Sequence, residues 1–136
     1  MYIDYYDMAE KVILESHKNG FHAVEYEETE RGCSLNNKIP GEPGFYAIYY
    51  KNNLMYLGTG RDIRYRIYRF VKEILGKSHS RENHPAAKKF RRYYGIEGLN
   101  DCRIGYFKWG TNKKDRESVE KILIRRLKPL LNKNKK

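Results

Sequence analysis

A chain of 136 residues has room for one domain with a real core rather than for two. Its formal charge of +11 is uneven: residues 1–32 hold eight acidic and three basic side chains, net −5, and residues 33–136 carry net +16. Cys33 and Cys102 stand alone, which excludes a disulfide framework or a zinc site, and no run approaches the ~18 apolar residues of a membrane span. A soluble, cytoplasmic protein with no membrane partner is therefore expected.

In chain order, Tyr5, Met8, Ala9, Val12, Ile13 and Ser16 recur at helical spacing between Asp4, an available N-cap, and Gly20, a natural stop. This acidic helix is expected either to pack on the body as a structural wing or to cover a basic surface until a partner displaces it. Phe21 to Tyr26 reads as a short strand. Glu27 to Pro43, with Gly, Asn and Pro recurring, reads as a connecting loop.

Gly44 to Tyr50 and Leu54 to Gly58 are rich in residues that fit a pleated surface and flank Lys51-Asn52-Asn53, which predicts a hairpin. Through Thr59-Gly60-Arg61-Asp62 the chain enters a helix with apolar positions at 63, 67, 70, 71 and 74. Lys77 to His84 reads as a loop, and Pro85 as the first residue of a short basic helix ended by Gly95. Arg103 to Trp109 is the third strand of the body. Asp115 can cap a last helix from about Arg116 to Lys128, which Pro129 stops, and the basic tail 133–136 follows.

The expected fold class is α+β: a small three-stranded antiparallel sheet flanked by helices in the order β-β-α-α-β-α, preceded by an N-terminal helix. Residues 1–40 form the acidic extension and loop, and residues 41–132 the domain proper.

The sheet and helices could bring two phenols, Tyr46 and Tyr56, to one face together with Arg66 and Glu120, charged groups on the rims of apolar helix stripes. Such a set suits phosphodiester cleavage. A lone carboxylate can hold Mg²⁺ that keeps most of its waters, and a guanidinium can grip a phosphate bidentately. Each residue also has an ordinary use, the tyrosines in the core and the charges on solvated helix faces. The basic side chains Arg61, Arg64 and Arg69 on one helix and Lys88, Lys89, Arg91 and Arg92 on the next are candidates for contacts to substrate phosphates.

Together these residues resemble the GIY-YIG nucleases, which include homing endonucleases, some restriction enzymes and the nuclease domain of the excision-repair incision subunit. The first motif stands here as Gly44-Phe45-Tyr46 and the second as Tyr56-Leu57-Gly58; Arg66 follows Tyr56 by ten residues, and Glu120, Pro129 and Asn132 match the ending. The likeness spans about residues 41–132. It implies a DNA endonuclease, of homing, restriction or repair type, acting on double-stranded or branched DNA with Mg²⁺, for which Mn²⁺ may substitute, and leaving 5′-phosphate and 3′-hydroxyl ends.

By the resemblance, Glu120 binds the metal, Tyr46 is the general base, Arg66 holds the scissile phosphate, Tyr56 positions phosphate or water, and Asn132 braces the site. Where some members carry a lysine three residues after the second tyrosine, this chain has Thr59, and where others place a histidine one turn beyond the arginine it has Phe70. His79 or His84 could supply the missing imidazole. A fold kept for nucleic-acid binding without cleavage is the alternative, and a protein-interaction module a more distant one. One site cuts one strand, so a double-strand break would need a homodimer or two encounters.

Overall fold

The computed structural model describes residues 3–78 and 84–132; His79 and the tail 133–136 lie outside them. Among the described residues, four helices surround two antiparallel sheets. Helix α1 spans Tyr5–Asn19, and Asp4 caps it by accepting from the amides of Tyr6 and Asp7. Strands β1 His22–Ala23, β2 Tyr26–Thr29 and β3 Gly32–Leu35 follow, then β4 Gly44–Tyr50 and β5 Asn53–Gly60. Helix α2 is Ile63–Ile74, α3 is Pro85–Tyr94, a 3-10 helix covers Ile96–Asp101, β6 is Cys102–Lys108 and α4 is Lys113–Leu127.

The main sheet has four strands, not three, in the order β1-β6-β4-β5. Its extra member, β1, pairs only His22 with Ile104 and Ala23 with Arg103, so the expected strand from Phe21 to Tyr26 shrinks to two paired residues. The segment read as a loop after Glu27 instead holds the hairpin β2–β3, a sheet of its own. Every residue of β2 after Tyr26 is exposed, so the strand has no apolar alternation to announce it. The last helix begins earlier than expected, because Asn112 rather than Asp115 is its N-cap: the Asn112 side chain accepts from the Asp115 amide at 2.8 Å.

Lys51 and Asn52 both have positive φ, 47° and 68°, and join Tyr50 to its pair Asn53. This is the geometry of a two-residue primed turn, whose twist matches that of the strands it joins. A register shift between Ile48 and Tyr49 leaves Met55 between the paired residues Leu54 and Tyr56. Beyond it, Tyr46 pairs with Gly58 and Ile48 with Tyr56, so Tyr46 and Tyr56 are diagonal neighbours on one face.

That face packs on α2 and α3 through Ile48, Ile63, Ile67, Phe70, Ile74 and Phe90. The opposite face, with Phe45 and Leu57, is covered by Ala9 and Val12 of α1 and by Val119 and Leu123 of α4. Alternation along β4 and β5 thus feeds two apolar layers at once. The charged termini of α2 and α4 meet beside the Gly60 end of β5.

Candidate active site

Tyr46 is 3 % exposed, and its ring lies flat against Gly58 on the next strand: a Cβ there would sit 2.6 Å from the ring. Only glycine leaves room for the phenol. The rings of Tyr46 and Tyr56 are 5.9 Å apart, close enough for each phenol to shift the pKa of the other. The Arg66 side chain, from the first turn of α2, crosses Gly60 in the same way, and a Cβ at Gly60 would come within 2.9 Å of its Cγ. Two glycines two residues apart therefore seat a phenol and a guanidinium along one strand.

Glu120 enters from α4. Its carboxylate is close enough to both phenols to push their pKa values upward, while Arg66 pulls both down. Burial is the larger cause in each case, and for Tyr46 burial followed by the neighbouring Tyr56 drives the pKa well above the ordinary 10.0. The four groups Tyr46, Tyr56, Arg66 and Glu120 thus form one electrostatic cluster. Arg66 and Glu120 line an open cleft of about 900 Å³, together with Thr59, Gly60, Arg61, Asp62, Tyr65 and Arg69 on one wall and residues 111–113, Arg116 and Glu117 on the other.

Asn132 stands behind this wall. Its amide donates to the Leu57 carbonyl at 2.8 Å, and its carbonyl accepts from the Leu57 amide at 2.9 Å. The side chain imitates a neighbouring strand and fixes β5 between Tyr56 and Gly58.

No family model matches this chain, and no curated protein matches it. Among solved structures it resembles that of a point mutant of bacteriophage T4 EndoII, with a TM-score of 0.59 and 13 % identity over 90 % of this chain and 98 % of the other. At that identity the likeness is one of fold. It spans most of both chains.

The remaining expected residues separate. Arg61 and Arg69 line the cleft, and Arg69 stacks beneath the half-exposed Tyr65 ring at 5.9 Å. Arg64 is turned elsewhere, its guanidinium donating to the carbonyls of Asn37, at 2.6 Å, and Leu35, so that it fastens the end of β3 to α2. Lys88, Lys89, Arg91 and Arg92 lie on α3 and do not line the cleft; the Arg91 guanidinium lies against Gly76. Thr59 donates its hydroxyl proton to the Gly44 carbonyl at 2.7 Å, which ties the hairpin together.

His84 lies at the start of α3, which it caps, and its ring lies against Phe70 and Tyr56, each at 5.3 Å between centroids. Burial, with Arg69 and Arg66 nearby, lowers its pKa to about 4, so the ring is neutral at pH 7. Because Nδ1 accepts from the Ala87 amide at 3.3 Å, the neutral ring carries its proton on Nε2 and is a donor there.

Sequence reasoning passed over Arg116, Thr111, Asn112 and Lys113. Arg116 precedes Glu120 by four residues, one helical turn, so the signal that would have found it was present.

Proposed function

We propose that this protein is a divalent-metal-dependent DNA endonuclease of the GIY-YIG type, hydrolysing phosphodiester bonds to 5′-phosphate and 3′-hydroxyl ends. The observation that carries this reading is the clustering of Tyr46, Tyr56, Arg66 and Glu120, with the two phenols buried behind Arg66 and Glu120, which line the open cleft. Similarity of fold to the phage nuclease EndoII supports it, as does a body of net charge +16.

Glu120 is the residue that would hold Mg²⁺ or Mn²⁺. Among the described residues no group of three or more His, Cys, Asp or Glu side chains converges, so a single carboxylate would serve with water and substrate oxygens. That donor set suits a hard ion bound jointly with a phosphate. When bound, such an ion polarises the phosphate and offsets the charge that develops on it.

Arg66 grips the scissile phosphate through its planar fork and stabilises the extra charge of the transition state. Its position across Gly60 fixes it beside Tyr46 and Tyr56. Tyr46 accepts the proton of the attacking water as a phenolate, which its burial opposes and Arg66 favours. Tyr56 orients water or phosphate, its ring held against those of Tyr46 and His84. Since Nε2 of His84 already carries the proton, this histidine orients or donates and is not the base. Asn132 keeps β5, and with it Tyr56, in place.

Purified protein with Mg²⁺ is expected to nick supercoiled plasmid DNA. Glu120→Gln and Arg66→Ala should each lower the rate about 10²- to 10³-fold, and Tyr46→Phe by 10² or more. Equal cutting by all four proteins would assign the activity to a contaminant. The one observation that favours a non-cleaving binder is the strongly raised Tyr46 phenol; tight binding to DNA with no nicks under Mg²⁺ or Mn²⁺ would establish that second reading.

A further inference from the structure

Arg116 is 6 % exposed, yet it borders the open cleft. Its guanidinium donates to the Thr111 carbonyl, and among the described residues Nε has no hydrogen-bond partner and the side chain makes no ion pair. A guanidinium bonded to one carbonyl has donors to spare, and the part of it that borders the cleft can offer them to an anion.

Its surroundings point to the same ligand. Arg116 lies in the first turns of α4, a helix of 15 residues, where the amides of Lys113 and Lys114 have no acceptor within the helix and the helix dipole favours negative charge. Lys113 is exposed on the same cleft. The carboxylate in this turn, Asp115, does not compete: it accepts from the Tyr5 hydroxyl at 2.6 Å and the Thr111 hydroxyl at 3.1 Å and is absent from the lining of the cleft. Of the two carboxylates of α4 that do border the cleft, Glu117 and Glu120, the second is the metal candidate.

We infer that Arg116, with Lys113 and the first turn of α4, forms a second phosphate subsite, which takes a phosphate flanking the one held by Arg66. This rests on the nuclease reading above. Arg66 stands on the β5–α2 wall and Arg116 on the α4 wall, with Glu120 four residues, about 6 Å of helix rise, further on. A strand threaded between the walls presents one phosphate per nucleotide, so successive phosphates meet the two arginines in turn. The site thereby reads a polynucleotide rather than a single phosphodiester, and it fixes which linkage is cut.

The test uses full-length protein and a DNA duplex with one defined nick site, with binding measured without divalent metal over a range of salt. Arg116→Gln is expected to reduce the salt slope of log K by about 1 and to weaken binding at fixed salt several-fold. A set of duplexes, each with one neutral methylphosphonate, locates the contact. At one linkage flanking the cut, the substitution should weaken binding by wild type about tenfold and by Arg116→Gln less than twofold. Arg116→Lys should restore most of the slope.

Wild-type slope and an unchanged methylphosphonate profile in Arg116→Gln would overturn the inference and leave the nuclease reading intact. A wild-type protein with no affinity for the duplex would overturn both. Circular dichroism and thermal melting establish that Arg116→Gln folds. Should it not fold, exposed Lys113→Ala carries the same comparison, with the same slope change expected and an unchanged profile overturning the proposal.

Discussion

His84 and Tyr46 are buried rings whose protonation the fold pushes in opposite directions, the imidazole toward the neutral form at low pH and the phenol toward the neutral form at high pH. For His84 the consequence can be given a sign. Its folded pKa of about 4 lies below the ordinary 6.5, so between those values the unfolded chain binds a proton that the folded chain refuses. Its stabilising contribution is complete above pH 6.5 and falls as the pH drops, by about 3 kcal/mol at pH 4. Urea unfolding at pH 7.5 and 4.5 should show this loss. In His84→Asn, which retains a capping side chain, most of the loss should vanish. The histidine illustrates what a sequence conceals: nothing in the spacing of residues 66, 70 and 84 says that the start of α3 returns to the face of α2. The meeting of Tyr46, Tyr56, Arg66 and Glu120 was expected from the intervals of the motif that the chain resembles, and the structure brings the four into one electrostatic cluster.

At the scale of elements, β5 is held on one side by β4 and on the other by the chain after α4. Leu131 donates to the Met55 carbonyl at 2.7 Å, Leu130 to Leu54 at 3.3 Å, and the Asn132 side chain completes the row at Leu57. Asn132→Ala would leave a donor and an acceptor of Leu57 unmet in a half-buried place. A loss of about 2–3 kcal/mol is expected, read as a lower midpoint in urea, together with weaker nicking because Tyr56 lies next to Leu57. Asn132→Asp should be no better, since a carboxylate cannot donate to the Leu57 carbonyl. Main strands and helices were readable from alternation and stripes. The β2–β3 hairpin was not, since Glu27, Glu28 and Thr29 are exposed on both faces and the inward signal rests on Cys33 and Leu35. What holds it down, the reach of Arg64 to Leu35 and Asn37 and of Lys77 to Thr29, is a set of contacts across 27 to 48 residues that no local pattern encodes.

Across the whole molecule the acidic and basic parts of the sequence are not segregated into a cover and a covered surface. Helix α1 lies on α4 and on the sheet face opposite Tyr46, with Ala9 and Val12 in the core, the Tyr5 hydroxyl on Asp115 and a 2.5 Å ion pair from Glu10 to Arg126. Between the two readings of this helix, its packing favours the structural one. Deleting residues 1–20 would uncover Phe45, Leu57, Val119 and Leu123, each worth about 1.5–3 kcal/mol when fully buried. The truncated protein is expected to lose its cooperative thermal transition and to bind a dye for exposed apolar surface. A protein that kept its melting transition and gained DNA affinity at fixed salt would restore the inhibitory reading.

The row of bonds from residues 130–132 along β5 also determines how two copies of this chain can meet. On the opposite border β1 pairs only with Arg103 and Ile104, so the outer side of β6 from Gly105 to Lys108 has no strand beside it among the described residues. Strand addition is therefore closed along residues 54–57 of β5, beside the candidate site, and not along the outer side of β6. Two active sites that act on opposite strands of one duplex cannot then be joined edge to edge along residues 54–57 of β5.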